Sequence, residues 1–482
     1  MNQMYERPDF VQYRAIWKMI RDAIEANVKT KTYLPDMVPS GDSEYDERRN
    51  RDYRERAIYY NFTGRTHAGL IGQMFYRDPQ VDAPELLKSV IADIDGSGIA
   101  IEQQAKETAG VCAACGRYGL LVDYPRIEAS VSRADIATGR VKPTVLLYQP
   151  EQIINWRTQR VGGKQRLTLV VLYEQYESED DGFEQVMKDQ WRVLQLTEAG
   201  YTMAVWRFGE DEKTLSAIED GVVIRDSTGA PWREIPFIIG GSTNNDPGID
   251  NPPLRPLAEL NIGHLRNSAD HEEALHMLGQ PTPWASGITV EHKKQVMDDK
   301  PVLFGSRTFL MLPEGGQAGL ITMPDSSALA TAMESKEKRA ASLGAKLIES
   351  QSTQSTQRTA TETNRSSMVE DSVLSTIAKN VSQAYMQALK WCQAFLGETG
   401  AVNFELSTDY DFNKMTPQER QILVAEWQAG GITDEEYRWN IRRSGVGYLD
   451  DKKWQKWKDE RDNQEDGPDL DRGGDNQVGQ DE

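Results

Sequence analysis

Long apolar runs are missing from this 482-residue chain, and so is an apolar stretch at the N-terminus. A membrane-spanning helix needs about 18 or more consecutive apolar residues. The most apolar segments are only LTLVVLY, starting at Leu167, and YGLLVDY, starting at Tyr118. The first residues, MNQMYERPDFVQYR, do not resemble a signal peptide. These absences predict a soluble intracellular protein with no membrane partner.

Cysteine is scarce, with only Cys112, Cys115 and Cys392 in the whole chain. This count fits a reducing compartment. Cys112 and Cys115 have the CxxC spacing of redox and zinc sites, but no second Cys or His pair follows to complete four ligands. The sequence therefore favours packing of small residues on a helix, and we expect no metal site and no cofactor.

Catalytic motifs are also absent. The segment most similar to a phosphate-binding GxxxxGK[ST] loop is VGGKQ at 161–165. It lacks the leading glycine and the hydroxyl residue and is typical of a turn between strands. In HEEALH, His271 and His276 are five apart and cannot easily share a metal. His264 and His271 share a helix face without an evident carboxylate ligand, which favours polar interface histidines. We expect no enzyme and no catalytic residues.

Basic residues are fewer than acidic ones, so the formal net charge is −20. Residues 459–482 carry ten Asp/Glu against Arg461 and Arg472, and their composition predicts a disordered acidic tail. Broad binding to nucleic acid requires clustered Lys and Arg, so a protein of this charge is a poor candidate for gripping DNA. It could still surround DNA without gripping it.

Periodicity predicts helices in the first 120 residues and strands from 120 to 240. The predicted helices cover 10–27, 56–75, a segment opened by Pro84, and a segment that ends near Gly116. The predicted strands are GLLVDYP, TVLLYQP, LTLVVLYEQY, QWRVLQL, YTMAVWRF and IPFIIGG, with ESEDDGFE as a surface turn. A mixed α/β or α+β body is therefore expected for residues 1–250.

Three long helical patterns follow this body. The first, 254–279, has an apolar side diluted by Asn261, His264, Ser268 and Glu272, which suits packing between subunits as well as within one. A β-rich excursion of about 45 residues separates it from the second helix, 326–349. The third, 366–396, has the cleanest apolar stripe in the chain.

Between the last two helices lies ESQSTQSTQRTATETNR, residues 349–365, which taken alone is typical of a linker. After the third helix, Thr416-Pro417-Gln418-Glu419 and Thr433-Asp434-Glu435-Glu436 have the form of capping boxes. They predict two short helices at about 416–429 and 433–443.

The order of these parts resembles the portal, or head-to-tail connector, proteins of tailed bacteriophages. The local similarities are NFTGRTHAGLIGQMFYRDP (61–79), GRYGLLVDYP (116–125), LRPLAELNIGHLRNSADHEEALHMLGQPTPW (254–284) and QRTATETNRSSMVEDS (357–372). Each is weakly specific, and the ordered set carries the resemblance.

The resemblance implies an α+β subunit of a ring of about a dozen copies, with a defined succession of parts. These are a wing (1–253), a first stem helix (254–278), a clip (279–325), a second stem helix (326–348), a tunnel loop (349–365), a long tunnel or wing helix (366–397), a helical crown (398–457) and the disordered tail (458–482). The tail has no counterpart in the family pattern.

It also implies a function: a channel at a capsid vertex of the virion, assembled in the host cytoplasm, through which double-stranded DNA is packaged and ejected. The implied partners are the terminase large subunit, a head-tail adaptor, and the major capsid and scaffolding proteins. The loop residues that would face DNA are Thr353, Gln354, Thr356, Gln357, Arg358 and Arg365. The leucines that would pack subunits together are Leu257, Leu265, Leu275, Leu329 and Leu343. The alternatives are another oligomeric scaffold or adaptor without DNA traffic and, disfavoured by the missing phosphate loop, a packaging ATPase.

Overall fold

The computed structural model describes residues 3–124, 142–161, 163–180, 183–209, 214–226, 228–280, 282–291, 294, 312–321, 327–347, 372–408, 417–428, 431–433 and 436–438. The chain divides into two compact units, Met1–Thr408 and Asp409–Glu482. The predicted tunnel loop at 349–365 and acidic tail at 458–482 lie outside the described residues.

The N-terminal part of the first unit is helical. Its helices are α1 (Pro8–Glu25), α2 (Ser43–Arg56), α3 (Phe62–Met74), the short α4 (Lys88–Ala92) and α5 (Ile101–Cys115). The predicted end near Gly116 is confirmed, because this glycine adopts the left-handed conformation at φ 69° and its N–H donates to Cys112 O.

The single helix predicted at 56–75 is wrong, because two helices, α2 and α3, occupy 43–74. Ala57 is extended, and the Asn61 side chain caps α3 by accepting from Gly64 N. The sequence of α2, SEYDERRNRDYRER, has too few apolar residues to show a helical stripe. Its polar signals were nonetheless present: Asp42 accepts from Tyr45 N at the start, and acidic residues precede basic ones along the helix.

Two antiparallel sheets follow in the first unit. The strands are β1 (Gln80–Asp82), β2 (Arg117–Asp123), β3 (Thr144–Tyr148), β4 (Ile153–Val161), β5 (Lys164–Asp180), β6 (Gln185–Thr197), β7 (Gly200–Phe208), β8 (Leu215–Val223) and β9 (Phe237–Gly241). One sheet has the order β3-β2-β9, and the other is the five-stranded meander β4-β5-β6-β7-β8. Helices and antiparallel strands are segregated along the chain, as expected for an α+β fold. Sequence patterns missed β4 and β8, whose central residues are mostly polar.

The second half of the first unit contains α6 (Arg255–Gly279), β10 (Thr282–Ser286), β11 (Gln317–Ile321), α7 (Ser327–Lys346), α8 (Val373–Leu396) and β12 (Asn403–Glu405). The predicted start of the third helix at 366 is wrong. Ser372 is extended, and its side chain caps α8 by accepting from Ser375 N, so the helix begins at Val373.

The core of the first unit is built around α8. Its Tyr385 hydroxyl bonds to Thr108 and Gln104 of α5, and Asn380 Nδ2 donates to Gly241 O of β9. The chain after α8 stays in this unit, because β12 pairs antiparallel with β1. Residues 398–408, the first part of the predicted crown, therefore belong to this unit.

The second unit contains α9 (Pro417–Gln428). Beyond it, Thr433 Oγ1 accepts from Glu436 N, and Thr433 N donates to Glu436 Oε2, at 3.2 and 2.9 Å. These two bonds confirm the capping box read from the sequence.

Candidate functional site

A helical arm is the part of the first unit best suited to contact other molecules. We define the arm as α6, β10, β11 and α7. β10 follows α6 at once and pairs antiparallel with β11 from Thr282↔Ile321 to Ser286↔Gln317. Farther back along the helices, Lys336 Nζ of α7 donates to Gly263 O of α6 at 2.6 Å. The two helices therefore run antiparallel, and α6 alone is about 37 Å long at ~1.5 Å per residue.

The root of the arm, residues 255–269, is buried in the body of the unit. Ile262, Leu265 and Ala269 belong to one apolar cluster with residues that precede α3. Those residues are Val28, Tyr33, Leu34, Tyr53 and Ala57. The root is therefore held by the helices in front of it in the chain.

Asn261 is fully buried in the root and has partners on every side. Its Oδ1 accepts from Tyr59 Oη at 2.8 Å and from Thr63 N and Oγ1 at 3.1 and 3.0 Å. Its Nδ2 donates to Tyr60 O at 2.8 Å. Similarly, Ser268 Oγ accepts from Ile58 N. Asn261 and Ser268, two of the polar residues that dilute the apolar side of α6, therefore form hydrogen bonds within the chain, which agrees with the part of the prediction that concerns packing within one subunit.

His264 joins the two helices of the arm. Its ring is fully buried, edge-on to Tyr60 and Phe62 at centroid distances of 5.1 and 5.2 Å, and its Nε2 lies 3.3 Å from Glu337 of α7. Burial lowers the pKa of His264 below its ordinary value, and Glu337 opposes this shift. Its Nδ1 is buried and has no hydrogen-bond partner among the described residues. The expected polar interface histidine is therefore found at an interface within the chain.

Helix α2 braces the arm where it leaves the body. Tyr53 Oη donates to Asp270 Oδ1 at 2.7 Å, and Arg56 forms an ion pair with Glu273. These contacts were not predicted from the sequence, because α2 itself was not predicted. The contacts fix the direction in which α6 continues beyond residue 269.

The outer half of the arm, residues 270–286 and 317–335, has no buried residue among those described. Its large apolar side chains are instead exposed, with relative accessibilities of 41 to 62%. They are Leu275, Met277, Leu278, Trp284, Leu320 and Ile321. Several exposed large apolar side chains on one part of a chain are typical of an interaction surface.

The leucines predicted to pack subunits together fall into two groups. Leu257 and Leu265 are buried within the chain, and Leu265 belongs to the apolar cluster with the preceding helices; their role between subunits stays a prediction. Leu275 is exposed, while Leu329 and Leu343 are half-buried. For these three the role stays a prediction.

The predicted DNA-facing residues Thr353, Gln354, Thr356, Gln357, Arg358 and Arg365 all lie outside the described residues. The described ends of the segment that holds them lie close together, because Leu347 and Val373 line one cavity of about 580 Å³. Arg255 and Glu259 at the start of α6 line the same cavity. The segment therefore leaves and rejoins the body at one place beside the root of the arm.

The remaining candidates for chemistry are structural. All three cysteines are buried, and burial raises the pKa of Cys115 to about 12, so these thiols pack as small apolar groups. Within the described ranges no group of three or more His, Cys, Asp or Glu side chains is arranged to hold a metal ion. No helix in the same ranges is both long and apolar enough to cross a membrane.

Comparisons with known proteins add the following. A family model described as a domain of unknown function (DUF4055) matches residues 253–396, which include the arm and α8. No curated protein matches the chain. Solved structures with similar chains include the virion of a native gene transfer agent (GTA) particle, at 16% identity and TM-score 0.39, with 82% of this chain and 92% of that chain covered.

The neck of an empty GTA particle computed with C6 symmetry gives 15% identity, TM-score 0.40, and coverage of 80% and 90%. The neck of the native particle computed with C12 symmetry gives 12% identity, TM-score 0.36, and coverage of 80% and 90%. Identities and TM-scores this low assign no function to the chain.

Proposed function

We propose that this chain is the subunit of a portal, a ring at a capsid vertex of a bacteriophage-like virion. Double-stranded DNA would pass through the channel of the ring during packaging and ejection. The alternative is a scaffold or adaptor that forms an oligomer without conducting DNA.

The arm is the observation that carries this proposal. Its root is buried and hydrogen-bonded inside the chain, whereas its outer half exposes large apolar side chains such as Leu275 and Trp284. No described residue of the same copy buries these side chains. Copies arranged around an axis can cover them, because each arm then lies beside the next and the same contact repeats until the ring closes.

The charge and the position of the channel segment support DNA passage. A net charge of −20 keeps the chain from holding phosphates broadly, since each Lys or Arg contact adds a salt-dependent grip that translocation must break. The segment with Arg358 and Arg365 starts and ends beside the root of the arm. Its Ser, Thr and Gln side chains can exchange hydrogen bonds with passing phosphates.

The proposed partners are those that the resemblance to portal proteins implies. The exposed β10–β11 hairpin at the tip of the arm would contact the terminase large subunit and later the head-tail adaptor, and the body would contact capsid and scaffolding proteins. ATP hydrolysis belongs to the terminase in this proposal. The chain itself is not an enzyme and needs no cofactor.

The first experiment is a mass measurement on the purified full-length chain, combined with images down the particle axis. A closed ring of about twelve copies with a central opening is expected. A monomer or dimer under all assembly conditions would count against the portal, and an open, non-ring oligomer would favour the scaffold. ATP hydrolysis by the isolated chain would favour the packaging motor.

A second experiment tests the channel separately from assembly. Changing Arg358 and Arg365 together to Glu should impair packaging or retention of DNA while rings still form. The matched control changes Arg48 and Arg51, on the exposed side of α2, to Glu with the same change in charge. Loss of rings in the first variant would assign the two arginines to a subunit interface instead.

A further inference from the structure

A groove of about 790 Å³ lies between the N-terminal segment and the five-stranded sheet. Gln3 and Tyr5 line it from the N-terminal segment. Its apolar floor comes from three neighbouring strands, β5, β6 and β7, through Leu169, Val171, Val193, Leu196, Ala204 and Trp206. All of these except Val171 are partly accessible, so the floor is open. A groove of this size and composition can take up an apolar side chain with its neighbours.

The border of the groove is basic in an otherwise acidic chain. Residues 152–173 contain four basic residues and no acidic one. Arg157 lines the groove, and Arg166 lies opposite Gln159, two positions farther along β4. Both arginines are exposed, and neither forms an ion pair with a described residue. Their charge is therefore available to an acidic partner.

The loop that leads into α2 has the opposite charge. We define the acidic loop as residues 38–47, VPSGDSEYDE, which contain four acidic residues and no basic one. Glu44 and Glu47 are exposed and form no ion pair with a described residue. The helix dipole accounts for acidic residues at the start of α2. It does not account for Val38, whose side chain is 84% exposed beside them, because valine is usually buried.

Hydrogen bonds hold the acidic loop in one shape. Residues 38–45 are all exposed, so the loop is not fixed by burial. Instead, Ser40 N donates to both carboxylate oxygens of Asp46 at 3.0 and 2.9 Å. Arg49 Nη2 donates to Val38 O at 2.6 Å. A loop that is ordered before it binds loses little conformational entropy on binding, which favours a role in recognition.

The acidic loop and the groove of one copy do not meet. No residue of 38–47 lines the groove. The acidic loop continues into α2, where Tyr53 Oη donates to Asp270 of α6 and so ties this helix to the arm. The groove is formed instead by the sheet and the N-terminal segment. Because both surfaces are fixed to the same unit, only a second copy can bring its acidic loop to this groove.

We propose that the acidic loop of one copy docks into the groove of a neighbouring copy, with Val38 on the apolar floor. Glu44 and Glu47 then lie beside Arg157 and Arg166. Burial of the valine supplies affinity, and the opposite charges fix the orientation. The two surfaces are different patches of one chain, so the contact is heterologous and repeats from copy to copy. This inference rests on the proposed ring and deepens it by naming a contact between neighbouring copies.

Cysteine cross-linking tests the contact directly, because the native cysteines are buried. Val38→Cys (the loop variant) and Ala204→Cys (the groove variant) are prepared as separate full-length chains and joined with a short bismaleimide. A cross-linked dimer is expected when the two variants are mixed before assembly, and not with either one alone. In the control mixture, Ile58→Cys beyond the other end of α2, at 46% exposure, replaces the loop variant and should give no dimer.

Charge reversal then tests the chemistry of the border. Arg157→Glu with Arg166→Glu in the groove variant should lower the cross-link yield several-fold. Glu44→Lys with Glu47→Lys in the loop variant should restore the yield. An unchanged yield after the first reversal would overturn the electrostatic part of the contact. Equal thermal unfolding of the variants shows that each is folded.

The outcomes separate this contact from the portal itself. Rings that form without the mixed cross-link would overturn the contact and leave the portal standing. Cross-linked open chains that never close into rings would support the contact and count against the portal. A chain that stays monomeric and uncross-linked at every concentration would overturn both.

A different occupant of the groove would also be visible. Cross-linking from Ile58→Cys as efficient as that from the loop variant would overturn the role of the acidic loop. A short DNA duplex that binds the unassembled chain, and is released by Arg157→Glu with Arg166→Glu, would assign the groove to nucleic acid and overturn the contact between copies.

Discussion

The root and the outer half of the arm belong to the same helix but have opposite environments. In the root, Leu265 is fully buried, and Asn261 and His264 have partners inside the chain. In the outer half, Leu275 and Met277 are 43% and 47% exposed. The root therefore contributes to the stability of one copy, and the outer half is available to neighbouring molecules. Substitutions in the two halves should consequently affect different measurements.

The largest expected effect on stability is at Leu265. Leu265→Ala removes a fully buried side chain from the apolar cluster and should lower the free energy of unfolding by about 2–5 kcal/mol. Leu275→Ala, the same change in the outer half, should cost less than about 0.5 kcal/mol. Urea unfolding of the unassembled chain measures both. Equal losses at the two positions would contradict the comparison.

The next largest loss of stability is expected at Asn261. Asn261→Leu removes the acceptor of Thr63 N and Oγ1 and leaves these buried donors unsatisfied, whereas Tyr59 Oη keeps Ala23 O at 2.6 Å; the change should cost about 2–3 kcal/mol in total. Asn267→Leu, on the half-buried side of the same helix, is the matched control and should cost less than about 1 kcal/mol. An increase in the free energy of unfolding of Asn261→Leu would show that the hydrogen bonds of Asn261 do not stabilise the root.

A smaller effect is expected from His264 and depends on pH. Because burial lowers its pKa, the folded chain takes up this proton less readily than the unfolded chain. The stability linked to His264 is therefore complete above pH ~6.5 and declines as the pH falls from there toward the lower pKa of the folded state. His264→Gln should flatten this decline between pH 7 and 5 in denaturant titrations, whereas His276→Gln, at an exposed position, should leave the slope as in the original chain.

The smallest effect on stability should accompany a large effect on assembly. Leu275→Ser with Met277→Ser removes exposed apolar surface from the outer half and should change the free energy of unfolding by less than about 0.5 kcal/mol. The same double change should reduce ring formation in mass measurements. Glu334→Ser with Lys338→Ser, an exposed ion pair on α7, is the control. Rings of unchanged mass and yield would show that the outer half does not hold subunits together.

Much of the fold was predictable because the signals are local. The apolar stripe of α8, the glycine that ends α5 and the Thr433–Glu436 capping box depend on neighbours within a few residues, and the structure confirms each. Helix α2 was not predicted, because its stabilisation comes from charges and an N-cap rather than from an apolar stripe. The start of α8 was misplaced because Ser372 is a strong N-cap inside a run of polar residues.

The candidate site was less predictable for the same physical reason. The sequence correctly indicated that 254–279 is a helix with a mixed apolar side and that a β-rich excursion joins it to a return helix. It could not indicate that Asn261 and Ser268 bind residues 58–63, since those partners are about 200 positions away.

The sequence by itself determined the α+β class, the order of the parts, the acidic charge and the helical pattern of the arm, because composition and periodicity act over one or a few turns. Leu257 and Leu275 show that this local information does not determine burial. They are 18 residues apart, about five turns, and so lie on one line along α6. One is 1% and the other 43% exposed. Only the tertiary structure decided this difference, because burial depends on which other helices reach that part of α6, and these come from a distant part of the chain.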